Sequence, residues 1–290
     1  MTGYSPTWIH VSTVAFIKRF KSMIALFEWI RHDMGGHRLR IGGIVDMSTL
    51  DWYGNVSLII FFAGCNFRCP YCQNSGLLLL DSGNEVNLEL IRERIETGMS
   101  PVALLDAVVL TGGEPTLQPE ACRAISELVK GMGLKVMLDT NGSRPLVTEA
   151  LLKAEFIDRV ALDIKAPLNP EEYSIAAGLR GGAEEIVSNV DATLDLCGAH
   201  GVPVEARTTV APTISDADGF IRRLSRDIRD RCDVYYLQQF DNTGEVLNLE
   251  VKALKPPSRE RLLELAQIAR DSGVENVYIK TRKLGLEKVD

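Results

Sequence analysis

Val56-Ser57-Leu58-Ile59-Ile60-Phe61-Phe62-Ala63-Gly64-Cys65-Asn66-Phe67-Arg68-Cys69-Pro70-Tyr71-Cys72 decides how the rest of the chain is read. A short apolar run, Val56 to Phe62, leads directly into a loop that holds three cysteines within eight residues. Such a run bounded by a polar loop suits a buried strand of a parallel sheet. Thiolates are soft ligands for iron–sulfur clusters or zinc, and a loop leaving a strand can wrap three of them around one centre. Three is an incomplete set. Protein-held cubanes normally use four cysteines, so this loop would leave one iron with an open position. That points to chemistry rather than to bracing.

The competing reading is a structural zinc or a set of buried thiols. No histidine lies near enough in sequence to complete a tetrahedral zinc site, since His37 precedes the loop by a whole strand and His200 is far downstream. Cys122, Cys197 and Cys232 are scattered and read as packing. With three of six cysteines clustered and the others apart, the pattern is not a secreted disulfide framework, and a reducing cytoplasm is the expected compartment.

At 290 residues and 46% hydrophobic content, the chain can fill one large α/β barrel-like domain. A net charge of −7 argues against a nucleic-acid binder, which would usually be basic. No apolar run is long enough to cross a membrane. The first 40 residues carry a local +4 against −11 for the remainder, and Trp8 to Ile30 is apolar but broken by Lys18, Arg19 and Lys21. Residues 1–40 read as an N-terminal extension, either an amphipathic surface helix or a segment outside the chemistry ahead of the true start. Residues 41–290 read as the catalytic domain.

From Val56 onward, apolar runs alternate with amphipathic segments, the pattern of βα units around a mostly parallel sheet. Strands are expected at Val56–Phe62, Ala107–Leu110, Lys135–Asp139, Arg159–Asp163, Val204–Val210 and Val234–Phe240. Helices are expected at Leu88–Thr97, Pro119–Gly131, Pro145–Lys153, Ala183–His200 and Asp216–Asp230. Asp241–Pro257 reads as a long loop, followed by a helix at Ser258–Ser272 and a strand at Val277–Thr281. Six strands of this kind suggest a partial (βα)6 barrel with a C-terminal helix–strand addition.

Barrels of this sort gather reactive groups where strands end, and these strands end in polar residues. After the second comes Thr111-Gly112-Gly113-Glu114, in which two glycines allow backbone to approach a ligand and the carboxylate can accept from an ammonium. A tight turn is the plainer alternative. The third ends in Asp139-Thr140-Asn141-Gly142 and the fourth in Asp163-Ile164-Lys165; either suits a zwitterionic ligand, and either also suits helix caps or a rim salt bridge. Arg207 and Thr209 follow on the fifth strand, where Arg207 could bond a carboxylate or ribose, or pair with Glu205.

The cysteine spacing, with aromatic Tyr71 before the last thiol, resembles the signature of the radical S-adenosylmethionine (SAM) enzymes. Resemblance implies a [4Fe-4S] cluster on Cys65, Cys69 and Cys72, with SAM on the fourth iron. It also implies a methionyl-binding motif at Gly112, Gly113 and Glu114, with Asp139, Asn141, Asp163, Lys165 and Arg207 around SAM, and a monovalent cation near Asp139 and Asp163. The family histidine that touches SAM has no counterpart at Gln238-Gln239-Phe240. The stretch Ile41 to Ser57 resembles the lead-in of the activating proteins of anaerobic ribonucleoside-triphosphate reductase, which implies that Ser48, Asp51 and Gly54 lie in a loop facing SAM or the partner. The implied activity is a glycyl-radical activase, with that reductase as protein substrate and a low-potential flavodoxin or ferredoxin as electron donor. The alternatives are radical chemistry on a small molecule or nucleotide, and a non-catalytic cluster or zinc module.

Overall fold

The computed structural model describes residues 39–100 and 104–290, so the expected extension lies outside it except for its last two residues. The first strand, β1 (Leu39–Ser48), runs antiparallel to β2 (Ser57–Phe62), and the short β3 (Asn84–Val86) pairs with the start of β1 at the sheet edge. Then come β4 (Ala107–Gly112), β5 (Lys135–Thr140), β6 (Arg159–Asp163), β7 (Val204–Val210) and β8 (Val234–Gln239). With β2 they form six consecutive parallel strands. β9 (Val277–Thr281) adds a seventh, and β10 (Gly285–Val289) closes the far edge as an antiparallel hairpin. The result is an α/β partial barrel with a mostly parallel ten-stranded sheet.

Helices cover the outer face: α1 (Leu88–Met99), α2 (Pro119–Gly131), α3 (Pro145–Lys153), α4 (Pro170–Ala177), α5 (Ala183–Ala199), α6 (Asp218–Ile228), α7 (Leu249–Ala253) and α8 (Arg259–Asp271). In α8 the Ser258 side chain accepts from Arg261 N at the start, and Leu262, Leu265, Ala266 and Ala269 repeat at helical spacing toward the sheet. Each fully buried leucine of this kind contributes about 1.5–3 kcal/mol.

Strand residues alternate between two environments, as a two-residue period requires. Leu58, Ile60, Val108, Leu110, Val136, Leu138, Val160 and Leu162 pack outward among the helices. Ile59, Ala107, Val109, Met137 and Ala161 point into the lumen, where Trp52 packs on them. Trp52 comes from the β1–β2 loop, which enters the lumen from the N-terminal end of the parallel strands, and beside it a cavity of about 330 Å³ is lined by Arg159, Glu205, Tyr236 and Tyr278. Two residues further along the same inward rows stand Thr111, Asp139 and Asp163, so the lumen turns from aliphatic to charged toward the strand C-termini.

Three features depart from the sequence reading. Asp241–Pro257 is not all loop, because α7 forms within it with Asn248 accepting from Glu250 N and Val251 N; five residues are too few to show a period. α4 also escaped notice, although Asn169 caps it, Pro170 opens it and Gly178 at φ 61° ends it. β1 begins at Leu39 and is paired along most of its length, although its Gly42-Gly43 pair conceals it in sequence.

Candidate cluster and cofactor site

All three clustered cysteines line one cavity at the C-terminal ends of the strands. Tyr71, Gly112, Gly113, Glu114, Asp139, Asn141, Asp163, Lys165 and Arg207 line the same cavity, together with Thr209 and Gln238. The expected cluster ligands and cofactor-binding residues are therefore brought to one place, by five different strands.

The cysteine loop is fixed mainly by backbone. Gly64 N donates to Leu77 O at 2.8 Å, Cys65 N to Leu78 O at 3.1 Å, Arg68 N to Ala177 O at 2.9 Å and Cys72 N to Cys69 O at 3.0 Å. Leu247 N and Asn248 N donate to Cys72 O and Pro70 O, so the segment after β8 covers the side of the loop. The Arg68 guanidinium curls back onto the Cys65 and Phe67 carbonyls at 2.6 and 2.7 Å.

Burial pushes the Cys65 thiol up to about 12 and Cys69 up to about 11, and it raises Cys72 as well. Burial thus opposes the thiolate form, and metal loading must displace the thiol protons. Among the described residues, no three His, Cys, Asp or Glu side chains converge closely enough to hold a single ion. A cubane takes soft thiolates and places its cysteines on separate irons, and the three thiols line one cavity, so the donor set fits such a cluster. Beside it the Tyr71 hydroxyl is buried with no hydrogen-bond partner among the described residues, a polar atom that a bound group can satisfy.

The Gly112-Gly113 pair is more than a turn. Gly112 has φ 116°, and a Cβ there would stand 2.4 Å from Phe62 N. A Cβ on Gly113 would lie 2.1 Å from Gly64 O, in the backbone next to Cys65. Gly113→Ala is expected to cost at least about 1–3 kcal/mol from overpacking against main chain and to lower cluster content through displacement of Gly64. Thermal unfolding and iron analysis check this, and wild-type values for both would remove it.

Glu114 is 1% exposed, and its carboxylate accepts from Thr116 N, Thr116 Oγ1, Thr140 Oγ1 and Asn141 N. Burial raises its pKa while those four donors pull it down. Its carboxylate thus ties the ends of β4 and β5 together.

Asp163 accepts from Lys165 Nζ at 2.8 Å, and Asp139 accepts from Arg207 Nη1 at 2.9 Å. The two aspartates expected to share a monovalent cation are therefore neutralised by the chain's own cations. Burial pushes Asp139 up to about 6, against the pull of Arg207. Burial opposes the charge on Lys165, but the neighbouring Asp163 carboxylate favours it and the ammonium pKa is raised. Arg207 also donates to Glu205 Oε1 at 2.6 Å, and Glu205 in turn faces Arg159 at 3.2 Å. Arg207 therefore pairs with Glu205, one of its two sequence readings, and it also lines the cavity.

Ser48, Asp51 and Gly54 do not line the cavity. Their loop precedes β2 and so approaches from the opposite end; only Asp51 O reaches upward, accepting from Arg207 Nη2 at 3.3 Å. Sequence reasoning gave no role to Asn66, Trp52 or Gln118. Gln118 Nε2 donates to Arg40 O and Ala63 O, and its Oε1 accepts from Arg40 N, clamping β1 to the base of the cysteine loop.

The radical SAM superfamily model matches residues 59–224. A Methanocaldococcus jannaschii protein named for glycyl-radical enzyme activation is 37% identical over 83% of this chain and 95% of its own length. The pyruvate formate-lyase 1-activating enzyme of Escherichia coli K12 is 30% identical over 81% of this chain and 96% of its own. Among solved structures, a radical SAM methyltransferase from Sphaerobacter thermophilus shares the fold at TM-score 0.64 and 19% identity, over 80% of this chain and 68% of that one. Enzymes of this superfamily use a [4Fe-4S] cluster and SAM, and the thiol set and two-signed cavity described above suit both groups. The chain belongs to the radical SAM superfamily and, within it, to the glycyl-radical enzyme activating enzymes.

Proposed function

We propose that this chain installs a radical on a glycine of anaerobic ribonucleoside-triphosphate reductase. The observation that carries the activase reading is the single cavity in which three thiols, the Gly112-Gly113 backbone and two acid–base pairs meet. The choice of reductase rests on the Ile41 to Ser57 segment and on a barrel free of cysteine-rich inserts. Between Cys72 and Thr111 the described residues form turns, β3 and α1, and the residues after β8 complete the sheet.

Cys65, Cys69 and Cys72 would hold the cluster and leave one iron open. When bound and reduced, that cluster would supply the electron for cleaving SAM, and the chain's residues would aim the resulting hydrogen-atom abstraction at the partner's glycine. In this reading backbone oxygens at Gly112 and Gly113 would accept from an ammonium, while Lys165 and Arg207 would offer cationic donors to a carboxylate. Tyr71 packs against the thiols and shields them from water. The reaction also needs a low-potential flavodoxin or ferredoxin and an oxygen-free compartment, the cytoplasm in our reading. No helix among the described residues is long and apolar enough to cross a membrane.

Label transfer tests the assignment. With reductase deuterated at glycine Cα, deuterium is expected in 5'-deoxyadenosine and a glycyl radical signal in the reductase. SAM cleavage without transfer from the reductase, but with transfer from pyruvate formate-lyase, would reassign the partner. Transfer from neither would favour a small-molecule substrate.

A further inference from the structure

Asn66 directly follows the first cluster cysteine and is exposed, yet both ends of its side chain are committed to buried partners. Its Oδ1 accepts from Asn141 Nδ2 at 3.0 Å, and its Nδ2 donates to Ser143 Oγ at 2.9 Å. Ser143 N donates to Asn141 Oδ1 at 3.0 Å, which fixes the orientation of the Asn141 amide and hence that of Asn66. Asn141 N donates to Glu114 Oε2 at 2.7 Å, and Glu114 N donates to Gly64 O at 2.7 Å. The circuit therefore closes through three segments: the cysteine loop at 64–66, the Gly-Gly-Glu turn after β4, and the Asp-Thr-Asn-Gly turn after β5. Asn189 Nδ2 of α5 anchors it from outside by donating to Ser143 O at 3.1 Å.

Backbone bonds tie the cysteine loop to β4, but within this circuit only the Asn66 side chain ties it to β5. The two turns carry Gly112, Gly113 and Asn141 on the cavity wall, while residue 65 carries a thiol. We propose that Asn66 is a positioning residue that holds the first cluster thiol in register with the cofactor-binding turns of β4 and β5, so that cluster and SAM meet at a fixed separation. A displacement of about 1 Å in such a constellation can cost on the order of 100-fold in rate. The proposal rests on the family's shared chemistry and needs no partner protein, so it stands or falls separately from the choice of reductase.

The test uses full-length protein, reconstituted anaerobically with iron and sulfide. Asn66→Ala is expected to keep its iron and sulfide content while its SAM dissociation constant rises roughly tenfold, the loss of two ordinary hydrogen bonds. The change that SAM produces in the paramagnetic resonance spectrum of the reduced cluster should weaken and broaden. Ser143→Ala removes one of the two bonds and should weaken binding by roughly threefold, with less than additive loss when combined with Asn66→Ala. Asn66→Asp keeps an acceptor for both Asn141 and the Ser143 hydroxyl, and should return affinity to within about twofold. Unaltered SAM affinity and an unaltered spectrum in Asn66→Ala would overturn the proposal. So would loss of the cluster in both Asn66→Ala and Ser143→Ala, which would make the circuit a folding brace.

Discussion

Cys69→Ala is expected to give a folded protein that cannot retain an intact [4Fe-4S] cluster and does not cleave SAM. The loop around residue 69 is held by bonds that do not involve its sulfur, including Arg68 N to Ala177 O, Cys72 N to Cys69 O and Asn248 N to Pro70 O. Removing one buried sulfur should cost roughly 1 kcal/mol in packing, too little to unfold a domain with this core. The chemistry fares differently. The cofactor carries the difficult step, so the loss should be on the order of the whole catalytic enhancement, about 10⁶-fold or more. Iron and sulfide analysis, circular dichroism and chromatography of 5'-deoxyadenosine check the three parts separately. Measurable reductive cleavage in this variant would mean that the cluster sits elsewhere.

Arg207→Met should have the largest effect on stability. Arg207 is the hub of a buried set, bonded to Asp139 on one side and Glu205 on the other. Without it Glu205 keeps Arg159 at 3.2 Å, but Asp139 loses its salt-bridge partner. Removing one member of a buried pair costs about 3–5 kcal/mol because the other is left uncompensated. The pH dependence has a definite sign. Asp139 has a folded pKa raised above the ordinary 3.8 to about 6, so its ionised form is penalised by folding. Its penalty is absent below the unfolded pKa and grows as pH rises toward the folded one. Loss of Arg207 lifts the folded value further and widens that window. The variant should therefore lose more melting temperature relative to wild type at pH 8 than at pH 5. A melting temperature equal to wild type at both would show that the hub bears no weight.

Much of this architecture can be read directly from the chain. The six parallel strands are short runs of apolar residues buried on both faces, and that composition announces itself without long-range information. α8 shows its Ser258 cap and α2 opens on Pro119, and both keep a clear period over thirteen residues. The wall of the cavity was equally legible, because each motif sits at the end of a strand. Pairing was not. Arg207 and Asp139 lie 68 positions apart, and only the stagger of β5, β6 and β7 brings them together. Asn66 looked like a spacer between ligands because its partners lie 75 and 77 positions away. Trp52 reads as an ordinary loop aromatic until the curl of the sheet supplies a lumen for it.

That tryptophan has a kinetic consequence. Because Trp52 occupies the lumen beneath the cavity among the described residues, a cofactor and a protein substrate would both approach from the strand C-termini. With one shared approach, the small molecule would be seated before the large partner arrives, and its spent fragments would depart after that partner withdraws. Steady-state kinetics should therefore be ordered, with excess partner protein trapping the products instead of speeding their release.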